Sequence, residues 1–118
     1  MTAPVAGKRI LVAEDEYFIA RYLADDLRDA GAVVLGPVAT VAEALALIAA
    51  EPLDAAVLDV NLRGEMAFPV ADALIARRLP FVLATGYSPG ALPPRYAGVP
   101  RCDKPVEVDG LAAALFPR

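Results

Sequence analysis

Residues 56–65 read AVLDVNLRGE. Together with Ala55, the stretch opens on four apolar residues, Ala55, Ala56, Val57 and Leu58, and then meets a single carboxylate, Asp59. A short continuous apolar run predicts a strand covered on both faces, and the residues after Asp59 form a polar, glycine-bearing turn. A carboxylate at the last position of a buried strand is costly unless it is paired, so Asp59 is expected to have a partner or a chemical task.

Other segments repeat the pattern. Lys8 to Glu14 (KRILVAE) is an apolar run of buried-strand type, and the next segment, YFIARYLADDLRDAG, reads as an amphipathic helix with Ile19, Leu23, Leu27 and Ala30 on one face. Gly31 stands where a helix C-terminal stop is expected. Ala32 to Leu35 predicts a second strand. Thr40 with Glu43 is a capping-box signature for a second helix, with Val41, Leu45 and Ile48 inward. Asp54 to Leu58 is the third strand, Phe68 to Leu79 a third helix with Pro69 in its first turn, and Phe81 to Ala84 a fourth strand. In SPGALPPRYAGVP, four prolines (Pro89, Pro93, Pro94 and Pro100) and two glycines leave room for a short helix at best. A fifth strand near Arg101 and Cys102 precedes a last helix, Val106 to Phe116, with Val108, Leu111, Ala112 and Leu115 inward. Five such strand-helix units predict an α/β domain with a parallel sheet covered on both faces, spanning residues 1–118. Tyr17, Phe18 and Cys102 read as packing residues.

Composition narrows the function. The 118 residues suit a single core, and with 58% hydrophobic residues and a mean hydropathy of +0.50 disorder is not expected. No apolar run approaches a membrane span, and the start has no signal-peptide layout, so a cytoplasmic location is expected. The net charge of -4 argues against direct nucleic-acid binding, because phosphate backbones demand clustered Lys and Arg. With no histidine, Ser-His and Cys-His hydrolases are excluded, and the lone Cys102 forms neither an internal disulfide nor a Cys/His metal cluster.

In parallel α/β folds, ligands bind at the carboxyl ends of the strands. Glu14-Asp15-Glu16 follow strand one, Asp59 ends strand three, Thr85 ends strand four, and strand five runs into Lys104. Singly each has a bland explanation: a solvated turn, a cap, a surface lysine. Together they bring carboxylates, a hydroxyl and an ammonium to one end of one sheet. Clustered carboxylates without imidazole or thiolate suit a hard cation, usually Mg²⁺ beside phosphate, and a carboxylate beside that cation can act as a nucleophile toward a phosphoryl group. Lys104 and Thr85 supply partners for the incoming oxygens. Two lysines stand against nine arginines in the chain, so a compact point charge is wanted at 104.

ILVAEDE (10–16), AVLDVNLRGE (56–65), VLATGYS (82–88) and CDKP (102–105) together resemble the receiver domain of bacterial two-component response regulators, the CheY-like superfamily. The likeness covers essentially the whole chain. It implies a flavodoxin-like (βα)5 fold with a five-stranded parallel sheet in the order 2-1-3-4-5. It also implies that Asp59 is the phosphoacceptor, Asp15 a direct Mg²⁺ ligand, Glu14 an assistant to the metal through water, and the Asn61 carbonyl a further ligand. Thr85 and Lys104 would bind the phosphoryl group, with the Gly86 amide and the small Ala84 allowing close approach, and the Lys104–Pro105 peptide is often cis. Two departures stand out. Arg101 occupies the place of the usual aromatic switch, either as its replacement, pairing with carboxylates, or as a solvated side chain. LATGYS resembles the Phe-Ala-Thr-Gly-Tyr ("FAT GUY") subgroup, associated with alphaproteobacterial signalling and HWE-type kinases, but has Leu83 for Phe, with Tyr87 beside the site. Without the aromatic rotor, ordering of residues 86–99 is the expected switch.

The resemblance implies a stand-alone receiver that takes a phosphoryl group from a sensor histidine kinase, of the HWE type. It would then dock to a downstream protein or pass phosphate in a relay, catalysing only its own phosphotransfer and dephosphorylation. A haloacid-dehalogenase-type phosphatase needs a second acid two residues after the nucleophile, where this chain has Asn61. A flavodoxin-like cofactor binder lacks a phosphate-cradling loop after strand one, where three acids would repel the ligand. The remaining rival is a receiver that is never phosphorylated and serves as a docking module.

Overall fold

The computed structural model describes residues 4–85 and 92–117. Its elements are β1 (Arg9–Ala13), α1 (Tyr17–Asp29), β2 (Val33–Val38), α2 (Val41–Ala50), β3 (Ala55–Asp59), β4 (Asn61–Leu62), β5 (Glu65–Met66), α3 (Phe68–Ala76), β6 (Phe81–Thr85), a 3₁₀ turn (Pro94–Tyr96), β7 (Arg101–Asp103) and α4 (Val108–Leu115). Five strands form one parallel sheet in the order β2-β1-β3-β6-β7, while β4 and β5 make a separate antiparallel hairpin. Counting the main-sheet strands alone, this is the order 2-1-3-4-5 of a CheY-like, flavodoxin-type fold.

Strand side chains point alternately to the two faces, so each central strand feeds two cores. Ile10, Val12, Ala55, Val57, Val82 and Ala84 cluster with Leu23, Leu27, Leu111 and Leu115 of α1 and α4. Their neighbours Leu11, Ala13, Ala56, Leu58, Phe81 and Leu83 cluster with Val41, Ile48, Val70 and Leu74 of α2 and α3, and with Tyr96. Each fully buried Val, Leu or Ile contributes about 1.5–3 kcal/mol.

Local chemistry explains where the helices stop. After α1, Ala32 N–H donates to Leu27 O and Gly31 N–H to Arg28 O, a Schellman ending with Gly31 at φ 95°. The expected third helix ran to Leu79, but α3 stops at Ala76 by the same device: Leu79 N–H donates to Leu74 O, Arg78 N–H to Ile75 O, and Arg78 itself takes φ 57°. A left-handed arginine is hard to read from sequence, because glycine is the usual sign. The last helix is also shorter than expected. Glu107 is extended (φ -105°, ψ 143°), so α4 opens at Val108, and Phe116 precedes Pro117, which disfavours a helical residue before it. Thr40 and Glu43 do cap α2, the Glu43 amide donating to Thr40 Oγ1 at 3.1 Å.

The second strand runs to Val38 rather than ending at Leu35, because the chain passes Gly36 and rejoins β1 with a register shift between Leu11 and Ala13. Gly36 has φ 98°, and a Cβ there would lie 2.7 Å from Val38 N and 2.9 Å from Val12 O. The Gly36–Pro37 and Lys104–Pro105 peptides are cis.

Tyr17 and Phe18 do not pack as expected. They are 63% and 58% exposed, and with Tyr22 they form a ring cluster on the solvent side of α1. The inner face of α1 is set by Ala20, Leu23, Ala24 and Leu27, and neither aromatic shares that stripe. Cys102 is half-buried against the α1/α4 core, as expected.

Candidate functional site

Register brings the site together. Ala13 pairs with Leu58, so the next residues, Glu14 and Asp59, emerge side by side. Thr85 pairs with Asp103 at the same end of the sheet, and Lys104 comes directly after. The three polar or charged side chains buried among the described residues are Glu14, Asp59 and Thr85. Lys104 Nζ lies 2.7 Å from Glu14 Oε1 and 2.9 Å from Asp59 Oδ2. Asp59 Oδ1 accepts from the Asn61 amide at 3.2 Å, and Glu14 Oε2 accepts from the Glu16 amide at 3.1 Å.

Asp15 sits at the rim, half-buried, where its Oδ2 accepts from the Arg63 amide at 2.8 Å. That amide belongs to the β4–β5 hairpin, whose turn residues Arg63 and Gly64 have φ 52° and 84°. Positive φ at both central residues is the type I′ turn of a two-residue hairpin. The hairpin was not evident in the sequence; Arg63-Gly64 is a weaker sign than the usual Asn-Gly. Approach is open on the α1 side, where a cavity of about 320 Å³ runs from Glu14 and Asp15 past Ala20 and Ala24 to Pro37.

Two buried acids sharing one ammonium leave the site short of positive charge. Burial, then the shared hydrogen bond and charge of Asp59, push Glu14 up to about 7 against the pull of Lys104. Burial alone would lower the Lys104 ammonium, yet its bonds to Glu14 and Asp59 hold it above the usual lysine range. Burial would likewise raise Asp15, but the Arg63 amide and Glu14 hold it below the usual carboxylate range. One carboxylate oxygen from each of Glu14, Asp15 and Asp59 lies within 4.8 Å of the others. An all-oxygen, net-negative donor set of this size fits a hard divalent cation.

Asn61 is half-buried in β4, its Oδ1 accepting from the Gly64 amide at 2.8 Å. Arg101 begins β7, the edge strand of the main sheet, paired in register with Leu83 and exposed. Residues 86–91 of the segment expected to order on switching, Gly86 and Tyr87 among them, lie outside the described residues; within residues 92–99 the chain forms the 3₁₀ turn with Tyr96 buried.

A parallel sheet that gathers acids, a hydroxyl and an ammonium at its carboxyl edge defines an α/β domain equipped to handle phosphate beside a cation. No protein-family model matches the chain, and no curated protein matches it. Among solved structures it is 46% identical to SdrG from Sphingomonas melonis Fr1, covering 98% of this chain and 96% of that one with a TM-score of 0.80. SdrG in its BeF3-activated conformation is similar at 47% identity over 93% of this chain and 94% of that one, with a TM-score of 0.76. A receiver domain protein (CheY-like) from Methanospirillum hungatei JF-1 shares 27% identity over 90% of this chain and 88% of that one, with a TM-score of 0.77. A response regulator from Burkholderia pseudomallei, solved with a phosphorylated aspartic acid, a calcium ion and citrate, shares 26% identity over 93% of this chain and 67% of that one, TM-score 0.79. The chain belongs to the response regulator receiver family, of CheY-like fold.

Proposed function

We propose that this receiver accepts a phosphoryl group on Asp59 from a sensor histidine kinase and signals through a downstream protein or a further phosphotransfer. The observation that carries the reading is the placement of Asp59 at the end of β3, with Lys104 Nζ 2.9 Å from its Oδ2 and two further acids beside it. An Asp59 carboxylate oxygen attacks phosphorus, the bond from phosphorus to the donor nitrogen breaks, and an acyl phosphate forms as the imidazole leaves. Lys104 then faces phosphoryl oxygens, and Thr85, buried at the end of β6, supplies a hydroxyl. A bound Mg²⁺ would be held by Asp15 and Asp59, with Glu14 assisting and the Asn61 carbonyl adding a ligand. It supplies neutralisation of phosphoryl charge. Attack of water on phosphorus returns the carboxylate and releases inorganic phosphate, and no other turnover is assigned to the chain. The response regulator with a phosphorylated aspartic acid and a calcium ion supports both the modified group and the cation by likeness. The FAT GUY-like stretch, LATGYS, supports an HWE-type kinase as donor.

Intact-mass analysis after incubation with acetyl phosphate tests the reading. One Mg²⁺-dependent phosphoryl adduct on the parent, absent in Asp59→Asn, is expected. No adduct on the parent, together with no binding of beryllofluoride, would leave a docking module that is never phosphorylated.

A further inference from the structure

Only Asn61–Met66 and Leu62–Glu65 pair in the β4–β5 hairpin, and a ladder that short does not hold itself together in water. Contacts outside the ladder hold it instead. Leu62 is buried in the α2/α3 core, Asn61 Oδ1 accepts from Gly64 N–H, and Arg63 N–H donates to Asp15 Oδ2 at 2.8 Å. The same segment continues from Asp59, whose Oδ1 accepts from the Asn61 amide. The hairpin therefore touches two of the three clustered carboxylates through its own backbone. It also stores strain where it does so: Arg63, a residue with a Cβ, is held at φ 52° with its N–H aimed at Asp15.

Resting on the cation site formed by Glu14, Asp15 and Asp59, we propose that this hairpin is a brace that pre-orients Asp15, so that the turn residues Arg63 and Gly64 set cation affinity without ligating the cation. The Arg63 amide fixes one oxygen of the Asp15 carboxylate by a hydrogen bond, and one oxygen from each of Asp15, Asp59 and Glu14 lies within 4.8 Å of the others. Partners of this kind orient metal ligands in many sites, and their loss typically weakens metal affinity roughly 10–100-fold. The contact is reciprocal, so Asp15 also steadies the turn. Arg63 acts through its backbone N–H, whereas Gly64 acts through its φ of 84°, which a side chain resists although a Cβ there would meet nothing within 4 Å. Both are positioning residues.

The test titrates MgCl2 into the parent, Gly64→Ala, Gly64→Val and Arg63→Asn, following amide chemical shifts, with thermal melts in the absence of Mg²⁺ to establish folding. The Gly64 variants are expected to bind Mg²⁺ about tenfold more weakly. Arg63→Asn, which suits a left-handed position and keeps the N–H, is expected to bind as tightly as the parent or more so. Amide exchange at Arg63 supplies a readout free of metal: it is expected to quicken in Asp15→Ala. Should Gly64→Val fail to fold, Gly64→Ala and Arg63→Asn decide. A parent that binds Mg²⁺ while folded Gly64 variants match it overturns the brace alone, as does Arg63→Asn binding as poorly as Gly64→Ala. A parent showing no saturable Mg²⁺ response overturns the cation reading and the brace with it.

Discussion

At the carboxyl ends of β1 and β3, two buried carboxylates share the single ammonium of Lys104. Between α3 and the 3₁₀ turn, one exposed carboxylate, Asp72, takes the Tyr96 hydroxyl at 2.6 Å and the Arg95 guanidinium at 3.3 and 3.4 Å. Arg95 also lies 4.5 Å over the Tyr96 ring. In the second cluster donors exceed acids, and Asp72 is held below the usual carboxylate range, first by the Tyr96 hydroxyl and then by Arg95. In the first, acids exceed donors, and Glu14 is pushed up to about 7. The satisfied cluster fastens the 3₁₀ turn to α3. The unsatisfied one keeps an electrostatic deficit that a cation can fill, which is how a binding site differs from a structural ion pair.

The contrast can be broken or sharpened at single residues. Asp59→Asn is expected to abolish the phosphoryl adduct completely while the fold persists, read by intact mass and a thermal melt. Glu14→Gln removes the surplus acid and is expected to stabilise the cation-free protein by about 1–2 kcal/mol at pH 8, measured by urea unfolding. The pH dependence has a definite sign. Because the Glu14 pKa rises on folding from 4.5 to about 7, the folded state binds the extra proton, and cation-free stability falls as pH climbs through that window. Melting curves across it are expected to flatten in Glu14→Gln and on adding Mg²⁺; parallel curves for parent and variant would refute the deficit. The smallest effect is expected in the other cluster. Tyr96→Phe removes one hydrogen bond and is expected to cost about 1 kcal/mol with no change in adduct yield. A drop in yield would mean that the two clusters communicate.

The parallel sheet and the convergence of Glu14, Asp15, Asp59, Thr85 and Lys104 were legible in the sequence, because apolar strands ending in polar residues leave those residues at one edge; the strand order came only through the family resemblance of the four motifs. What escaped depends on contacts between distant segments. The β4–β5 hairpin persists through Leu62 and Asp15 rather than through any strong turn dipeptide. Tyr96 gave no sign of being fully buried, because its proline-rich surroundings read as a loop and its partner Asp72 lies 24 residues away. Tyr17 and Phe18 misled in the opposite sense: aromatic residues beside an apolar stripe read as core, yet their angular positions on α1 put them in solvent.

The passage of β2 past Gly36 and Pro37 also shapes how the molecule meets other chains. β2 is one outer strand of the sheet, and such a strand offers unpaired backbone groups as a template for aggregation. Pro37 has no N–H to offer, the register against β1 shifts between Leu11 and Ala13, and β7 at the opposite margin is three residues long. Neither margin is a long, flat ribbon onto which a second sheet could be stitched. Protection against runaway self-association is thus written into the backbone itself, and the side chains around the acidic edge are left free to specialise in chemistry.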